Sequence, residues 1–156
     1  MINNQYKICK LSLYGSSFDK NILNFLHFLE PYSFYQKNIF WDEKNDIFKI
    51  HFFDNNKNIL NEQKQSIRKR HHLNDSFLEK NTILTIRNIK SCEIVCHEED
   101  IQFDKVPIYI GYEGGLFIKD NHRIIIEGTV SNYPNYTIYL YSDIINIFFE
   151  EYFEVK

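Results

Sequence analysis

Residues 143–156, DIINIFFEEYFEVK, decide the fold class of this 156-residue chain. Ile144, Phe148 and Tyr152 recur every four residues, with Ile145 and Phe149 beside them. That spacing draws an apolar stripe along a helix. Asp143 is placed to cap its first turn. The stretch is therefore expected to be an amphipathic C-terminal helix. Glu150, Glu151 and Glu154 would sit near the negative end of the helix dipole, which is locally unfavourable. A basic partner, or the basic first part of the chain, could offset that small cost.

Working outward, a first strand is expected over residues 5–14, ending at Gly15. A helix should follow, capped by Ser16 with Asp19 three residues on and stopped by Pro31 after Glu30. Ile22, Leu26 and Leu29 would share its apolar face. NIFWD around Trp41, the polar EKN and then DIFKIHFF read as a hairpin. Its second arm puts Phe48, Ile50 and Phe52 on one face and Lys49 and His51 on the other. Residues 54–81 are polar and rich in Asn, Lys and Arg. They suit either a short basic helix through Gln63–His72 or a mobile excursion. Residues 82–97 read as one long strand, or as two joined by a bulge near Asn88–Lys90. Further strands are expected at 106–112, 115–119, 123–130 and 137–141, with tight turns at Gly114-Gly115 and Asp120-Asn121. With helices at the ends and strands between, the expectation is a single α+β domain over residues 1–156. Its sheet would be mostly antiparallel, with an N-terminal and a C-terminal amphipathic helix.

The length suits one domain with a core of its own. The chain has 14 Phe and 11 Tyr but no Ala, a composition that points to an AT-rich gene. No segment approaches 18 uncharged apolar residues, so no membrane span is expected. Met1–Lys10 lacks the apolar core of a signal peptide, which points to the cytoplasm. Cys9, Cys92 and Cys96 are odd in number and read as reduced thiols packed as small apolar residues.

Charge is unevenly placed. Residues 1–90 carry 14 Lys/Arg against 9 Asp/Glu, and residues 91–156 carry 4 against 12. Cys92-x3-Cys96-His97 with Glu98, Glu99 and Asp100 is the nearest approach to a metal site. On a strand, however, the two thiols share one face and His97 points to the other, so a buried-thiol reading is preferred and no metal or cofactor is expected. Arg68-Lys69-Arg70-His71-His72 could contact phosphates, but it is short and has no interleaved aromatics. Gly111–Gly115 has neither phosphate-loop nor dinucleotide spacing. No spacing of Ser, Cys, His and carboxylates marks a nucleophile, so the chain is not expected to be an enzyme.

The acidic last third is also tyrosine-rich. Tyr109, Tyr112, Tyr133, Tyr136, Tyr139 and Tyr141 lie among Glu98, Glu99, Asp100, Asp104, Glu113 and Glu127. Tyrosine favours protein interfaces, and carboxylates beside it steer cationic partners. Equally, Tyr139 and Tyr141 could simply alternate with Ile138 and Leu140 on a strand. The partner-binding residues expected are Glu98, Glu99, Asp100, Asp104, Tyr109, Tyr112, Glu113, Tyr133 and Tyr136.

In general character the chain resembles the bacterial immunity proteins of contact-dependent and other polymorphic toxin systems. The acidic-tyrosine region 98–141 and the Trp41 hairpin carry that likeness of type, without a diagnostic motif. The resemblance implies an antitoxin-like inhibitor that occludes the active site of a basic, nuclease-like cognate toxin. In such a complex its carboxylates would replace substrate phosphates. Neither a membrane, a nucleic acid nor a small molecule is then an expected partner. Three rivals stand beside this reading. One is a phage- or mobile-element-encoded inhibitor of a nucleic-acid enzyme. Another is a nucleic-acid binder using Lys64, Arg68, Lys69, Arg70 and Arg87. The last is a small enzyme using His97 or His122.

Overall fold

The computed structural model describes residues 5–14, 32–53, 57–119, 122–130 and 133–156. Its central element is a 23-residue strand, Tyr133–Val155, which absorbs the stretch expected to be the C-terminal helix. The reason lies in a second periodicity of the same residues. Ile145, Ile147, Phe149, Glu151 and Phe153 are all buried, and the residues between them are partly exposed. This two-residue alternation of β-branched and aromatic side chains suits a pleated surface better than a helix. It is broken only by Glu151, a carboxylate in an inward position, and that break hides the alternation in the sequence.

The elements in chain order are β1 (Gln5–Tyr14), β2 (Ser33–Phe34), a 3-10 turn (Gln36–Asn38), β3 (Ile39–Asp42), β4 (Ile47–Phe52), α1 (Lys57–Arg70), β5 (Leu78–Cys96), β6 (Ile108–Lys119), β7 (Arg123–Val130) and β8 (Tyr133–Val155). All described pairings are antiparallel. β5 runs alongside almost the whole of β8, from Leu78 opposite Val155 to Cys96 opposite Tyr136. The other edge of β8 is shared, with β7 on its first half and β1 on its second.

The sheet order is β2-β6-β7-β8-β5-β4-β3. β2 joins the two flanks of this sheet. Ser33 pairs with Tyr109 of β6 and also bridges Phe53, just past β4. Phe53 N–H donates to Ser33 C=O at 3.0 Å, and Ile110 N–H donates to Tyr32 C=O at 2.9 Å. The sheet thus curls into a barrel closed through one short strand. β2 meets β6 level with Pro134 of β8, and on its other side it meets Phe53, one residue past Phe52, which is level with Glu151. This stagger is what strand tilt in a closed barrel requires. Gly128 serves the close packing of that wall, since a Cβ there would overlap Ile108 Cγ2.

The main core fills the barrel with Phe34, Phe48, Ile50, Phe52, Leu84, Ile86, Ile138, Leu140, Ile147, Phe149 and their neighbours. A second cluster, Ile67, Leu78 and Phe153, lies beneath α1 with Leu60, Tyr6 and Ile8 packed against it. The two clusters are separated by a polar layer. Along β5 the residues sharing the inner face run Leu78, Lys80, Thr82, Leu84; along β8 they run Phe153, Glu151, Phe149. Tyr32 donates its hydroxyl hydrogen bond to Glu151 Oε1, and Lys80 Nζ lies 3.3 Å from Glu151 Oε2. Burial pushes the Glu151 carboxyl up to about 7, as expected where the charged form is taken out of water.

The hairpin around Trp41 forms as expected, with Phe48, Ile50 and Phe52 buried and Lys49 exposed. So does the long strand with its bulge: the register shifts between Arg87 and Ile89, where Asn88 has φ 61°. The basic helix starts earlier than expected, at Lys57, and ends at Arg70. Leu73 N–H bonds to Arg68 C=O at 2.8 Å, and His72 sits at φ 53°. That is the left-handed stop of a helix C-terminus, so His72 has a structural task. Gly114-Gly115 is not a turn but part of β6, where the register shifts between Ile110 and Gly115. The α+β expectation with two terminal amphipathic helices is overturned. The described chain is 65% strand with a single short helix. The helix expected after Gly15, and the Asp120-Asn121 turn, lie outside the described residues.

Candidate functional site

The two charged regions of the sequence occupy opposite ends of one strand. α1 carries Lys57, Lys64, Arg68, Lys69 and Arg70 against Glu62, and it leads into the start of β5. The segment 97–107 carries Glu98, Glu99, Asp100 and Asp104 against Lys105, and it leaves the end of β5. Bulged but otherwise continuous, β5 holds these ends apart.

The acidic segment is fastened at several points. His97 N–H donates to Asn135 C=O at 2.8 Å, and His97 Nε2 lies 2.8 Å from Thr137 Oγ1. Asn135 is itself buried, with Val130 N–H donating to its Oδ1 at 3.0 Å and its Nδ2 donating to Val130 C=O at 2.8 Å. Phe103 enters the barrel end with its ring 5.5 Å from that of Tyr136, and Ile101 and Val106 pack against the core. Lys105 N–H closes a turn onto Gln102 C=O at 2.9 Å. The apolar residues of the loop thus point inward, while Glu98, Glu99, Asp100 and Asp104 are all exposed.

Of the tyrosines expected to bind a partner, Tyr109 follows this loop directly and is 42% exposed. Tyr136 is not on the surface. It is fully buried among Phe34, Phe103 and its strand neighbours, and its hydroxyl has no hydrogen-bond partner among the described residues. Burial, reinforced by Cys96 and Cys92, raises its phenol above the ordinary value. The backbones of Tyr112 and Glu113 lie in β6 and that of Tyr133 begins β8, while their side chains fall outside the description.

Two features were not legible in the sequence. Phe103 is the anchor that fixes the acidic loop, and a lone Phe between acidic residues carries no periodic signal. An open groove of about 330 Å³ also runs over the outer face of the barrel, lined by Ser91, Glu93, Arg123, Ile125, Tyr139 and Tyr141. The alternation of Tyr139 and Tyr141 with buried Ile138 and Leu140 was its only trace.

The remaining chemistry is dispersed. Among the described residues no group of three or more His, Cys, Asp or Glu could hold a metal ion. Burial pushes the Cys92 thiol up to about 11 and raises that of Cys96, which disfavours the thiolate that zinc requires. In the basic cluster Arg68 Nε donates to Ser76 C=O at 2.8 Å and the His71 ring lies 4.4 Å from that of Tyr6. Both are therefore partly engaged within the fold, while Lys69 and Arg70 are exposed. No helix among the described residues is long and apolar enough to cross a membrane. The chain matches no protein-family model, no curated protein and no solved structure.

Proposed function

We propose that this chain is an immunity-type protein, a cofactor-free stoichiometric inhibitor of a basic, nuclease-like toxin. It binds through its acidic end and occludes the toxin's active site. The observation that supports this reading is the fastened loop 97–107. Four carboxylates stand in solvent on a segment whose apolar residues are locked into the barrel, next to exposed Tyr109 and away from basic α1. A charged surface held in one conformation loses little entropy on binding and steers an oppositely charged partner. The carboxylates would take the places of substrate phosphates, and Tyr109 would supply apolar contact area.

The test is a titration against the toxin encoded by the adjacent gene. The wild-type chain is compared with the Glu98→Lys, Glu99→Lys, Asp100→Lys triple variant. The expected result is one-to-one binding that abolishes the toxin's activity, weakened about 100-fold or more in the triple variant while its circular dichroism is unchanged. Unchanged affinity would remove the loop from the interface, and no binding to the neighbouring gene product would remove the reading. The exposed Lys69 and Arg70 favour a second reading, a nucleic-acid contact at α1. It requires RNA or DNA binding that falls steeply with salt.

A further inference from the structure

Edge strands present a row of unpaired backbone N–H and C=O groups, and natural sheets blunt them with lysines, bulges, other charges or brevity. The described edges of this sheet follow that rule with one exception. β1 carries Lys7 and Lys10, and β3 is four residues long and ends at Asp42. β6 beyond its pairing with β2 is interrupted by a bulge before Gly115. The start of β5 carries Glu79 and Lys80.

The exception is Ser91–Cys96, the last part of β5. β4 pairs with β5 only from Thr82 to Arg87. The β3–β4 turn then meets β5 at its bulge, where Ile89 N–H donates to Asp46 C=O at 3.0 Å and Lys90 Nζ lies 2.8 Å from Asp46 Oδ2. Beyond that point one side of β5 is paired to β8, and no described strand covers the other. The uncovered segment reads SCEIVC. It has no proline or lysine, a single charge at Glu93, and Ile94 41% exposed at its middle.

We infer that Ser91–Cys96 is a self-pairing edge, through which two copies of this chain join antiparallel into one continuous sheet about a two-fold axis at Ile94. The register follows from two constraints. In an antiparallel pair, opposed residues face the same side of the sheet, so the axis must pass through a residue rather than between two. Centring on Glu93 would oppose two carboxylates, which is destabilising. Centring on Ile94 places Ile94 against itself and Glu93 against the partner's Val95, with no like charges opposed. It also puts Cys92 against the partner's Cys96. Opposed Cα atoms in such a pair lie about 4.5–5.5 Å apart, within the range that a disulfide spans. Within one copy the same two cysteines are four strand residues apart, about 13 Å, and cannot bond to each other. The pair therefore reports on assembly alone.

Sedimentation equilibrium and thiol crosslinking test this inference. A reversible dimer is expected, and Ile94→Lys should weaken it about tenfold or more, with circular dichroism unchanged, by placing two ammonium groups in opposition. Diamide at mildly alkaline pH should couple Cys92 to the partner's Cys96, each disulfide passing two electrons and two protons to the diamide. The covalent dimer should disappear on non-reducing gels in Cys96→Ser and equally in Cys92→Ser. A chain that stays monomeric throughout, a dimer indifferent to Ile94→Lys, or a crosslink that survives either cysteine substitution would overturn the proposal. The crosslink on the wild-type chain decides the matter even if Ile94→Lys fails to fold.

Discussion

The two halves of β8 line the same barrel, yet they bury polar atoms in opposite ways. In the first half Tyr136 carries its hydroxyl into the core with no hydrogen-bond partner among the described residues, between apolar Phe34 and Phe103. In the second half Glu151 carries a carboxylate inward, and there Tyr32 and Lys80 meet it. An unpaired hydroxyl costs only its own desolvation, whereas a buried charge must be paired or neutralised. The difference shows where the fold tolerates an orphan and where it has built a network. The network stands at the barrel's closure, because Tyr32 directly precedes β2 and its C=O accepts from Ile110 N–H.

The comparison is broken most severely by removing Glu151. Glu151→Ala removes one partner of the Lys80 ammonium and the acceptor of the buried Tyr32 hydroxyl, and it opens a cavity between them. It should cost about 3–5 kcal/mol of stability in urea unfolding. A double Lys80→Met, Glu151→Leu variant should recover most of that loss, since an apolar replacement of a buried pair is often neutral or better. A double variant as unstable as the single one would show that the polar contact of Glu151 with Lys80 and Tyr32 supports closure in a way that apolar packing cannot.

A second test is acid–base. The Glu151 carboxyl is held at about 7 by burial in the folded chain, against an ordinary value of 4.5. Between these two values the folded state keeps a proton that the unfolded state has lost. Its contribution to stability is therefore fully present below about 4.5 and is lost as the pH rises through about 7. The slope in that window can reach about 1.4 kcal/mol per pH unit. Cys9, facing Glu151 from β1, has its thiol pushed above 9.0, first by burial and then by Glu151 itself, and stays neutral there. Denaturation midpoints measured across the window should fall with pH in the wild-type chain and be flatter by this amount in Glu151→Gln. Equal slopes would show that the carboxylate is already ionised in the fold.

The smallest effect is expected in the first half. Tyr136→Phe removes the orphaned hydroxyl while keeping the ring against Phe34 and Phe103. It should leave stability unchanged or raise it by up to about 1 kcal/mol. A loss of more than that would mean that the hydroxyl has a partner, and the contrast between the two halves would fail.

These residues also show how far the sequence could be read. Phe48, Ile50 and Phe52 alternate cleanly with Lys49 and His51, so their strand and its buried face were legible. Asn88 lies in the stretch 88–90 where a bulge was readable, and asparagine tolerates the left-handed backbone found there. In the second half of β8, Glu151 interrupts the alternation, and the spacing of Ile144, Phe148 and Tyr152 offered a helix instead. Of the candidate site, the exposed carboxylates 98–100 and 104 and the tip of Tyr109 were readable from composition. The burial of Tyr136 and the anchoring by Phe103 were not, because an aromatic ring suits a core and an interface equally well.

By itself the sequence determined the Trp41 hairpin, the extended character of residues 82–97 and the separation of positive from negative charge along the chain, while it left residues 54–81 open between a basic helix and an irregular excursion. Tertiary structure alone decided that residues 143–155 extend, because only when Lys80 and Tyr32 arrive from distant segments can Glu151 turn inward. It also decided the closure of the barrel through two residues of β2. The reason is the same in both cases. Local periodicity reports how a segment can bury its own apolar side chains, but a buried charge and a closing strand depend on partners far away in the chain.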